Sequence, residues 1–298
     1  MTKIREFITT LTTQLRAVCD NQHAAEFEAW LVMEHVSGKS KAQLLAAESV
    51  DLSRAQQQQL NDMLTQRIEH KKPLNYLLGW VPFCDLKIIV ESPILIPRPE
   101  TEELVTWLLE QLQPVRDQGL RILDLCTGSG CIALALAKHL PKAQIVGIDI
   151  NPQAVALANK NKEHNRIHNA EFIESDLYQK LDPNKPFDLI VSNPPYISHA
   201  EYQQLSSQIK QWEDRNALVA DNEGLLFYER IARAARSYLK HNSTVVKHRI
   251  PCIVVELGTS PKAVQKIFAD NGFGTVSVHR DLQGVERWVG VYLTVKTD

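Results

Sequence analysis

Residues 121–139, with the sequence RILDLCTGSGCIALALAKH, contain the pattern that decides the fold. Arg121–Leu125 is a short apolar run that predicts a buried strand, and Cys131–His139 predicts a helix. The loop between them contains Gly128 and Gly130, and glycine lets a backbone approach a ligand closely. A strand, a glycine loop and a helix in this order are typical of a doubly wound sheet that binds a ligand at the helix N-terminus.

The alternation of strands and helices continues towards the end of the chain. It predicts an α/β fold with a mostly parallel, Rossmann-like sheet. The last two strands have no helix between them, which predicts an antiparallel hairpin at one edge. The other predicted strands are Gln144–Asp149, Glu171–Ile173, Phe187–Ser192, Cys252–Leu257, Gly274–His279 and Trp288–Val295, and the other predicted helices are Thr101–Leu112, Pro152–Asn165, Gly224–Lys240 and Pro261–Asn271.

The N-terminal part of the chain has a helical pattern. Ile4, Ile8, Leu11 and Leu15 recur at helical spacing, so residues 1–72 are predicted to be a helical-bundle domain that recognises the substrate. This segment has nine basic and nine acidic residues, which argues against a basic arm for nucleic acid. Residues 73–99 are rich in proline and predict a linker with a β-hairpin, and residues 100–298 then form the sheet domain.

Composition excludes several classes of protein. The 298 residues include 33 Lys and Arg against 35 Asp and Glu, so no overall basic field would attract nucleic acid. The five cysteines are an odd number without a CxxC pair, which argues against a disulfide framework or a metal site and favours a reducing cytoplasm. The sequence has no secretory signal and no apolar run of membrane-spanning length. We therefore expect a cytoplasmic monomer that holds no metal and binds neither membrane nor nucleic acid.

Two carboxylates near the glycine loop indicate the kind of ligand. Asp149 ends the next strand, 19 residues after Gly130, where it can hold the ribose hydroxyls of an adenosine. Asp124 stands just before the loop, which is unfavourable for a pyrophosphate and favourable for a sulfonium centre. This combination favours S-adenosylmethionine over a dinucleotide. The alternative for Asp124 is a cap on the backbone amides of the loop.

Asp176 follows the third strand of the predicted sheet, at the edge where such folds bind ligands. It could reach the adenine amino group, and a plain helix N-cap is an equally open interpretation.

Asn193-Pro194-Pro195-Tyr196 follows another predicted strand. The two prolines fix the backbone, and Asn193 is held extended because it precedes a proline. An amide oxygen, backbone carbonyls and an aromatic face suit a planar –NH2 group. The alternative is a simple turn.

The motifs together resemble a known family. The loop at residues 124–130, Asp149 and the Asn193–Tyr196 motif resemble class I S-adenosylmethionine methyltransferases that act on an amide or an exocyclic amine. With Pro73–Gly79 and Ile96–Glu102 added, the whole chain resembles the peptide chain release factor N5-glutamine methyltransferases, the HemK/PrmC family. The resemblance implies an S-adenosylmethionine-dependent domain at residues 100–298. It also implies that the substrate is the glutamine of the Gly-Gly-Gln motif in class I release factors.

The resemblance also implies roles for individual residues. Asn193 Oδ1 and the Pro194 carbonyl would accept the two N–H groups of the substrate amide, and Tyr196 would pack on the amide plane. We therefore predict Asn193, Pro194 and Tyr196 as catalytic residues, with Pro195 also contacting the substrate. The predicted cofactor contacts are Asp124, Cys126, Thr127, Gly128, Ser129, Gly130, Asp149, Asp176, Leu177 and Asn193.

Three positions depart from the family pattern. Cys126 stands where the family often has Gly, Glu213-Asp214 stands where many members have Glu-Pro, and His241–Ile250 replaces a short turn.

Three alternatives to a release factor methyltransferase remain open at this point. The sister family that methylates ribosomal protein L3 typically has Val-Pro-Arg-Ser-Pro in place of Ile96–Thr101. An adenine-N6 methyltransferase of DNA or RNA shares the Asn193–Tyr196 motif but needs a basic groove. A non-catalytic module that binds the cofactor and a partner is disfavoured by the intact motif.

Overall fold

Helices dominate the first of two compact units in this computed structural model, which describes residues 2–47, 49–258 and 260–293. The first unit takes the chain up to Trp80 together with Ser206–Trp212, and the second takes the rest. The predicted boundaries at residues 72 and 99 stay a prediction. The elements of the first unit are β1 (Thr2–Lys3), α1 (Ile4–Leu15), α2 (Gln22–Ser37), α3 (Lys41–Ala46), β2 (Ser49–Val50), α4 (Arg54–Ile68) and α5 (Leu74–Leu78).

Helix α2 forms the centre of the helical unit. Asn21 caps its first turn by accepting the Ala24 N–H, and Gly38 ends it at φ +69°, a conformation that glycine adopts without strain. Ala25, Ala29 and Met33 recur every fourth residue on its buried face and are 0% exposed. Because two of these side chains are small, α1 can pack closely against α2.

A buried ion pair joins α2 and α4. Arg67 is 4% exposed and donates to both carboxylate oxygens of Glu28, at 2.8 and 2.7 Å. The short segment from the later part of the chain belongs to this unit because Trp212 Nε1 donates to the His70 carbonyl at 3.0 Å and Arg67 also donates to Gln208.

The second unit is built on a seven-stranded sheet in the order β10-β11-β9-β8-β5-β6-β7. Five neighbouring strands are parallel, and β10 and β11 form an antiparallel hairpin at one edge. The predicted fold class is therefore confirmed, including the edge hairpin and a separate hairpin of β3 and β4. The strands are β3 (Trp80–Phe83), β4 (Leu86–Ile89), β5 (Arg121–Leu125), β6 (Gln144–Asp149), β7 (Ala170–Glu174), β8 (Leu189–Ser192), β9 (Ile253–Glu256), β10 (Val276–Arg280) and β11 (Glu286–Val291).

Helices flank this sheet. On one side α6, α7 and α8 pack in a row, and α11 packs with α13 in the cluster that buries Leu123 and Leu125 of β5. The predicted last strand extends to Val295, of which residues 294 and 295 lie outside the described residues. The helices in chain order are α6 (Pro99–Gln111), α7 (Cys131–His139), α8 (Pro152–His164), α9 (His199–Gln204), α10 (Ser207–Trp212), α11 (Leu226–Tyr238), α12 (Thr244–Lys247) and α13 (Pro261–Asp270), with α10 in the first unit.

Candidate active site

The strand order reverses between β5 and β8. The glycine loop that follows β5 and the Asn193–Tyr196 loop that follows β8 both leave the sheet at this point. The register pairs Leu125 with Ser192, and Ser192 Oγ donates to the Leu125 carbonyl at 2.7 Å. Cys126 and Asn193, the next residues of each strand, therefore start side by side. A crevice outside the carboxyl ends of parallel strands at such a switch point is where open α/β sheets bind ligands.

The loop after β5 turns on left-handed backbone conformations. Cys126, Gly128 and Gly130 have φ of 60°, 55° and 81°, respectively. A Cβ on Gly130 would lie 3.0 Å from the Phe172 ring, and one on Gly147 of β6 would lie 2.6 Å from it. The absence of a side chain at these two glycines lets the loop and β6 pack closely against Phe172 of β7. A Cβ on Gly128, in contrast, would have no neighbour within 4 Å. The Gly128 backbone thus faces open space.

Asp149, at the end of β6, is tied to this loop. Its carboxylate accepts the Gly128 N–H at 2.9 Å and the Asn151 N–H at 2.9 Å. Burial raises the pKa of Asp149, and these backbone donors act in the opposite direction. A carboxylate that keeps free lone pairs beside an open cleft can accept hydrogen bonds from ligand hydroxyls.

Asp124 lies beneath the loop and is 0% exposed. Its Oδ2 accepts the Thr127 hydroxyl at 2.5 Å and the Ala133 N–H at 3.2 Å. Within the described part of the chain its other oxygen, Oδ1, has no hydrogen-bond partner. Burial raises the pKa of this carboxyl to about 7. The geometry is that of a cap on the loop and on the start of α7, and direct contact with a cofactor stays a prediction.

The loop after β8 is held by close backbone packing. A Cβ on Gly258 would lie 1.8 Å from the Tyr196 ring, and one on Gly224 would lie 2.1 Å from the Tyr196 carbonyl oxygen. Both positions therefore exclude a side chain. Ile197 also forms an isolated parallel β-bridge with Val219, and its N–H donates to the Leu218 carbonyl at 2.9 Å. The aromatic ring that ends the motif is consequently fixed from two sides.

Side chains fix the start of the same loop. Asn193 Nδ2 donates to Thr101 Oγ1 at 3.1 Å, and Thr101 Oγ1 donates to Glu256 Oε2 at 2.6 Å. The Tyr196 hydroxyl donates to the other oxygen of Glu256 at 3.3 Å. Glu256 is 2% exposed, and burial raises its pKa to about 7. Tyr196 thus contacts this buried carboxyl group directly, and Asn193 is linked to it through Thr101.

A cleft with about 790 Å³ of atom-free space, part of it open to solvent, lies beside the two loops. Predicted site residues line it: Cys126, Gly128, Asp149, Asp176, Leu177, Asn193 and Pro195. A smaller adjoining cavity is lined by Cys126, Thr127, Gly128, Ser129, Asn193 and also Thr101. The other predicted residues, Asp124, Gly130, Pro194 and Tyr196, line neither cavity.

Comparison with known proteins identifies the family. One family model, the PrmC N-terminal domain, matches residues 8–79, and another, the methyltransferase small domain, matches residues 103–217. The release factor glutamine methyltransferase of Thermodesulfovibrio yellowstonii is 37% identical over 286 residues, covering 96% of this chain and 95% of the relative. That of Salmonella typhimurium is 39% identical over 261 residues, covering 87% and 89%. The chain belongs to the release factor glutamine methyltransferase family.

A solved structure supports the fold of this family member. A methyltransferase from Pyrococcus furiosus aligns with a TM-score of 0.50 at 16% identity, covering 70% of this chain and 90% of the other. In the described part of the chain, no helix combines the length and apolar character that crossing a membrane requires.

Several residues of the cleft were not predicted from the sequence of this family member. Arg230 of α11 donates to both oxygens of Asp176 at 2.8 Å, so the predicted adenine contact is also half of an ion pair. Ile150 is 64% exposed and lines the cleft directly after Asp149. An apolar residue directly after the strand-end carboxylate was the available sequence signal for Ile150, whereas Arg230 had none.

The structure shows what each of the three departures from the family pattern does locally. The left-handed conformation of Cys126 explains why glycine suits that position. Glu213 is held by Arg98, whose Nη2 lies 2.7 and 2.6 Å from its two oxygens, and Asp214 caps the short 3-10 helix that follows. The replaced turn at His241–Ile250 contains α12, anchored by Val245, which is 0% exposed.

Proposed function

We propose that this chain transfers the methyl group of S-adenosylmethionine to the side-chain amide nitrogen (N5) of the glutamine in the Gly-Gly-Gln motif of a class I peptide chain release factor. The observation that carries the proposal is the position of Asn193. In a chain 37% identical to a named release factor glutamine methyltransferase, its amide lies where the cleft meets the adjoining cavity.

The residues of the cleft fit an adenosylated cofactor. Asp149 has a carboxylate available for ribose hydroxyls, while Ile150, Leu177 and Phe227 offer apolar surface for a purine ring. A Cβ on Gly128 would have no neighbour within 4 Å, and Asp124 Oδ1 beneath the loop has no hydrogen-bond partner among the residues that the structure describes. Acidic groups without a nearby cluster of cations suit a sulfonium better than a pyrophosphate. When bound, S-adenosylmethionine supplies an electrophilic methyl group on its sulfonium centre.

The task of the protein is positioning and electrostatic stabilisation. The nitrogen of a glutamine amide is a weak nucleophile because its lone pair is delocalised into the carbonyl. Asn193 Oδ1 and the Pro194 carbonyl accept its two N–H groups, which orients the nitrogen and stabilises the positive charge that develops there. The surplus proton leaves after transfer, so the first step needs no general base. Tyr196 and Pro195 limit the space in which the amide plane can lie.

The test of this function uses labelled S-adenosylmethionine with three separate acceptors: a class I release factor, ribosomal protein L3 and duplex DNA. We expect label on the release factor, lost when the motif glutamine of that factor is replaced by alanine, and peptide mass spectrometry should place one methyl group on the glutamine. Label on protein L3 alone would reassign the substrate to the sister family. Label on DNA alone, or on none of the three, would overturn the proposal.

A further inference from the structure

A buried relay of hydrogen bonds joins Asn193 to Glu256 through Thr101. The two links measure 3.1 Å from Asn193 Nδ2 to Thr101 Oγ1 and 2.6 Å from Thr101 Oγ1 to Glu256 Oε2. Thr101 and Glu256 are each 2% exposed, and hydrogen bonds between buried groups are electrostatically stronger than in water. Thr101 lies in the first turn of α6 and Glu256 ends β9, so the relay joins two elements to the loop after β8.

The direction of the protons in this relay determines which way the Asn193 amide faces. A threonine hydroxyl has one hydrogen, and an ionised carboxylate only accepts. The Thr101 hydrogen therefore points to Glu256, and the Thr101 oxygen is left to accept from Asn193 Nδ2. The NH2 end of Asn193 is thereby fixed towards Thr101, and Oδ1 is left at the opposite end of the amide.

Glu256 is also in contact with the far end of the motif. The Tyr196 hydroxyl donates to Oε1 at 3.3 Å, and the ring of Tyr196 lies against the backbone of Gly258, two residues beyond Glu256. Tyr228 of α11 donates to the Glu256 backbone carbonyl at 2.8 Å, which holds the strand end itself. One carboxylate thus contacts Thr101 with one oxygen and Tyr196 with the other.

We propose that Glu256, acting through Thr101, is a positioning residue that keeps Oδ1 of Asn193 directed at the substrate amide. This inference rests on the proposed function, since it explains how that site presents an acceptor. Neither Thr101 nor Glu256 touches the reacting atoms in this scheme. They act by excluding the reversed orientation of the Asn193 amide, in which an NH2 group would face the N–H groups of the substrate.

The charge on Glu256 determines the direction of the hydrogen bonds in this relay. The groups that face it are Glu100 of α6, Arg287 of β11, and the hydroxyls of Tyr196 and Tyr228. Burial raises the pKa of Glu256 to about 7, with Glu100 acting in the same direction and Arg287 against it. A protonated Glu256 can donate to Thr101, whose own hydrogen then turns to Asn193 and favours the reversed amide. Activity is therefore expected to fall as the pH drops through about 7.

The experiment compares three variants on helix α6. Thr101→Val removes the hydroxyl with little change of shape, Thr101→Ser keeps it, and Thr106→Val makes the same change at an exposed position of this helix. With a release factor and saturating S-adenosylmethionine, we expect kcat to fall on the order of tenfold or more in Thr101→Val. Thr101→Ser and Thr106→Val should keep kcat, and calorimetry should give unchanged S-adenosylmethionine affinity in all three.

Glu256→Gln tests the pH dependence. The amide of glutamine does not titrate, so we expect the fall in kcat between pH 8 and pH 6 that the wild type shows to be absent from this variant. Thermal unfolding of each variant separates a loss of folding from a loss of positioning. A Thr101→Val variant as active as the wild type, or an unchanged pH profile in a folded Glu256→Gln variant, would overturn the inference.

A readout without substrate separates this inference from the proposed function. In ¹⁵N-labelled protein, the side-chain NH2 resonances of Asn193 should shift with pH near 7 and should lose that response in Thr101→Val. If the wild type leaves release factors unmethylated but shows this response, the proposed function fails and the relay stands. If the wild type methylates a release factor but the resonances ignore both pH and Thr101→Val, the relay fails alone.

Discussion

The two loops that leave the sheet side by side are built in opposite ways. The loop after β5 is shaped by its own backbone, because every second residue from Cys126 to Gly130 has a left-handed conformation. The loop after β8 is stiffened by proline and then fixed by partners from elsewhere, Thr101, Glu256 and Gly258. A backbone cradle suits a cofactor whose shape does not vary, whereas side-chain acceptors are needed to orient a reacting amide. The first loop is therefore expected to govern affinity and the second to govern rate.

Replacement of Asn193 should have the largest effect on rate. In Asn193→Ala the substrate amide loses an acceptor at its reacting nitrogen, and we expect kcat to fall on the order of 100-fold or more. Because the contacts of Asp149 and Gly128 are untouched, affinity for S-adenosylmethionine measured by calorimetry should remain. Asn184→Ala, in an exposed loop, is the matched control. Normal turnover in Asn193→Ala would refute the role assigned to this residue.

A methyl group at Gly258 should affect rate next most strongly. The Cβ of alanine would lie 1.8 Å from Tyr196 Cδ2, so the ring has to move away from its place. We expect Gly258→Ala to lower kcat on the order of tenfold, as a displacement of an active-site group does. At Gly119, where the nearest atom to a Cβ is 3.9 Å away, the same substitution should leave kcat unchanged. Equal rates in the two variants would show that the position of Tyr196 is unimportant.

The contrast between the loops also explains how much of the site could be predicted from the sequence. The β5 loop could be predicted because its glycines, its strand and the carboxylate that ends the next strand are neighbours in a repeating pattern. The partners of the β8 loop could not, since Thr101 lies 92 residues from Asn193 and Glu256 lies 60 residues from Tyr196. The strand order puts β9, which ends at Glu256, next to β8, and the first turn of α6 brings Thr101 to the same place.

The fold shows the same division between local and distant signals. Elements that directly flank the glycine loop and are strongly apolar, Arg121–Leu125 and Cys131–His139, have the predicted bounds. Short elements such as α9 and α10 have no periodicity to detect, since neither buries a residue. Arg230 belongs to the cleft because α11 lies beside Asp176, which is 54 residues away along the chain.

Asp149 tests the loop that should govern affinity. Asp149→Asn keeps one acceptor for the Gly128 or Asn151 N–H but removes the charge and one acceptor for ligand hydroxyls. A hydrogen bond to a charged group contributes about 1.5–3 kcal/mol, so we expect affinity for S-adenosylmethionine to fall about tenfold to 100-fold. At saturating cofactor, kcat should change little. Asp117→Asn, whose side chain is 76% exposed, should change neither quantity. A loss confined to kcat would reverse the division between the loops.

Asp124 should give the smallest effect, seen in stability. Its pKa in the folded protein, about 7, is above the value of an unfolded Asp, so its contribution to stability is full below about pH 4 and is lost as the pH rises through 7. From this carboxyl alone, the free energy of unfolding should fall by about 1 kcal/mol per pH unit between pH 5 and pH 6. Urea unfolding of the cofactor-free protein should show this slope in the wild type and in Asp117→Asn, and a flatter one in Asp124→Asn. Parallel slopes in all three proteins would mean that Asp124 is already ionised beneath the loop at pH 5, available as a fixed negative charge before any sulfonium arrives.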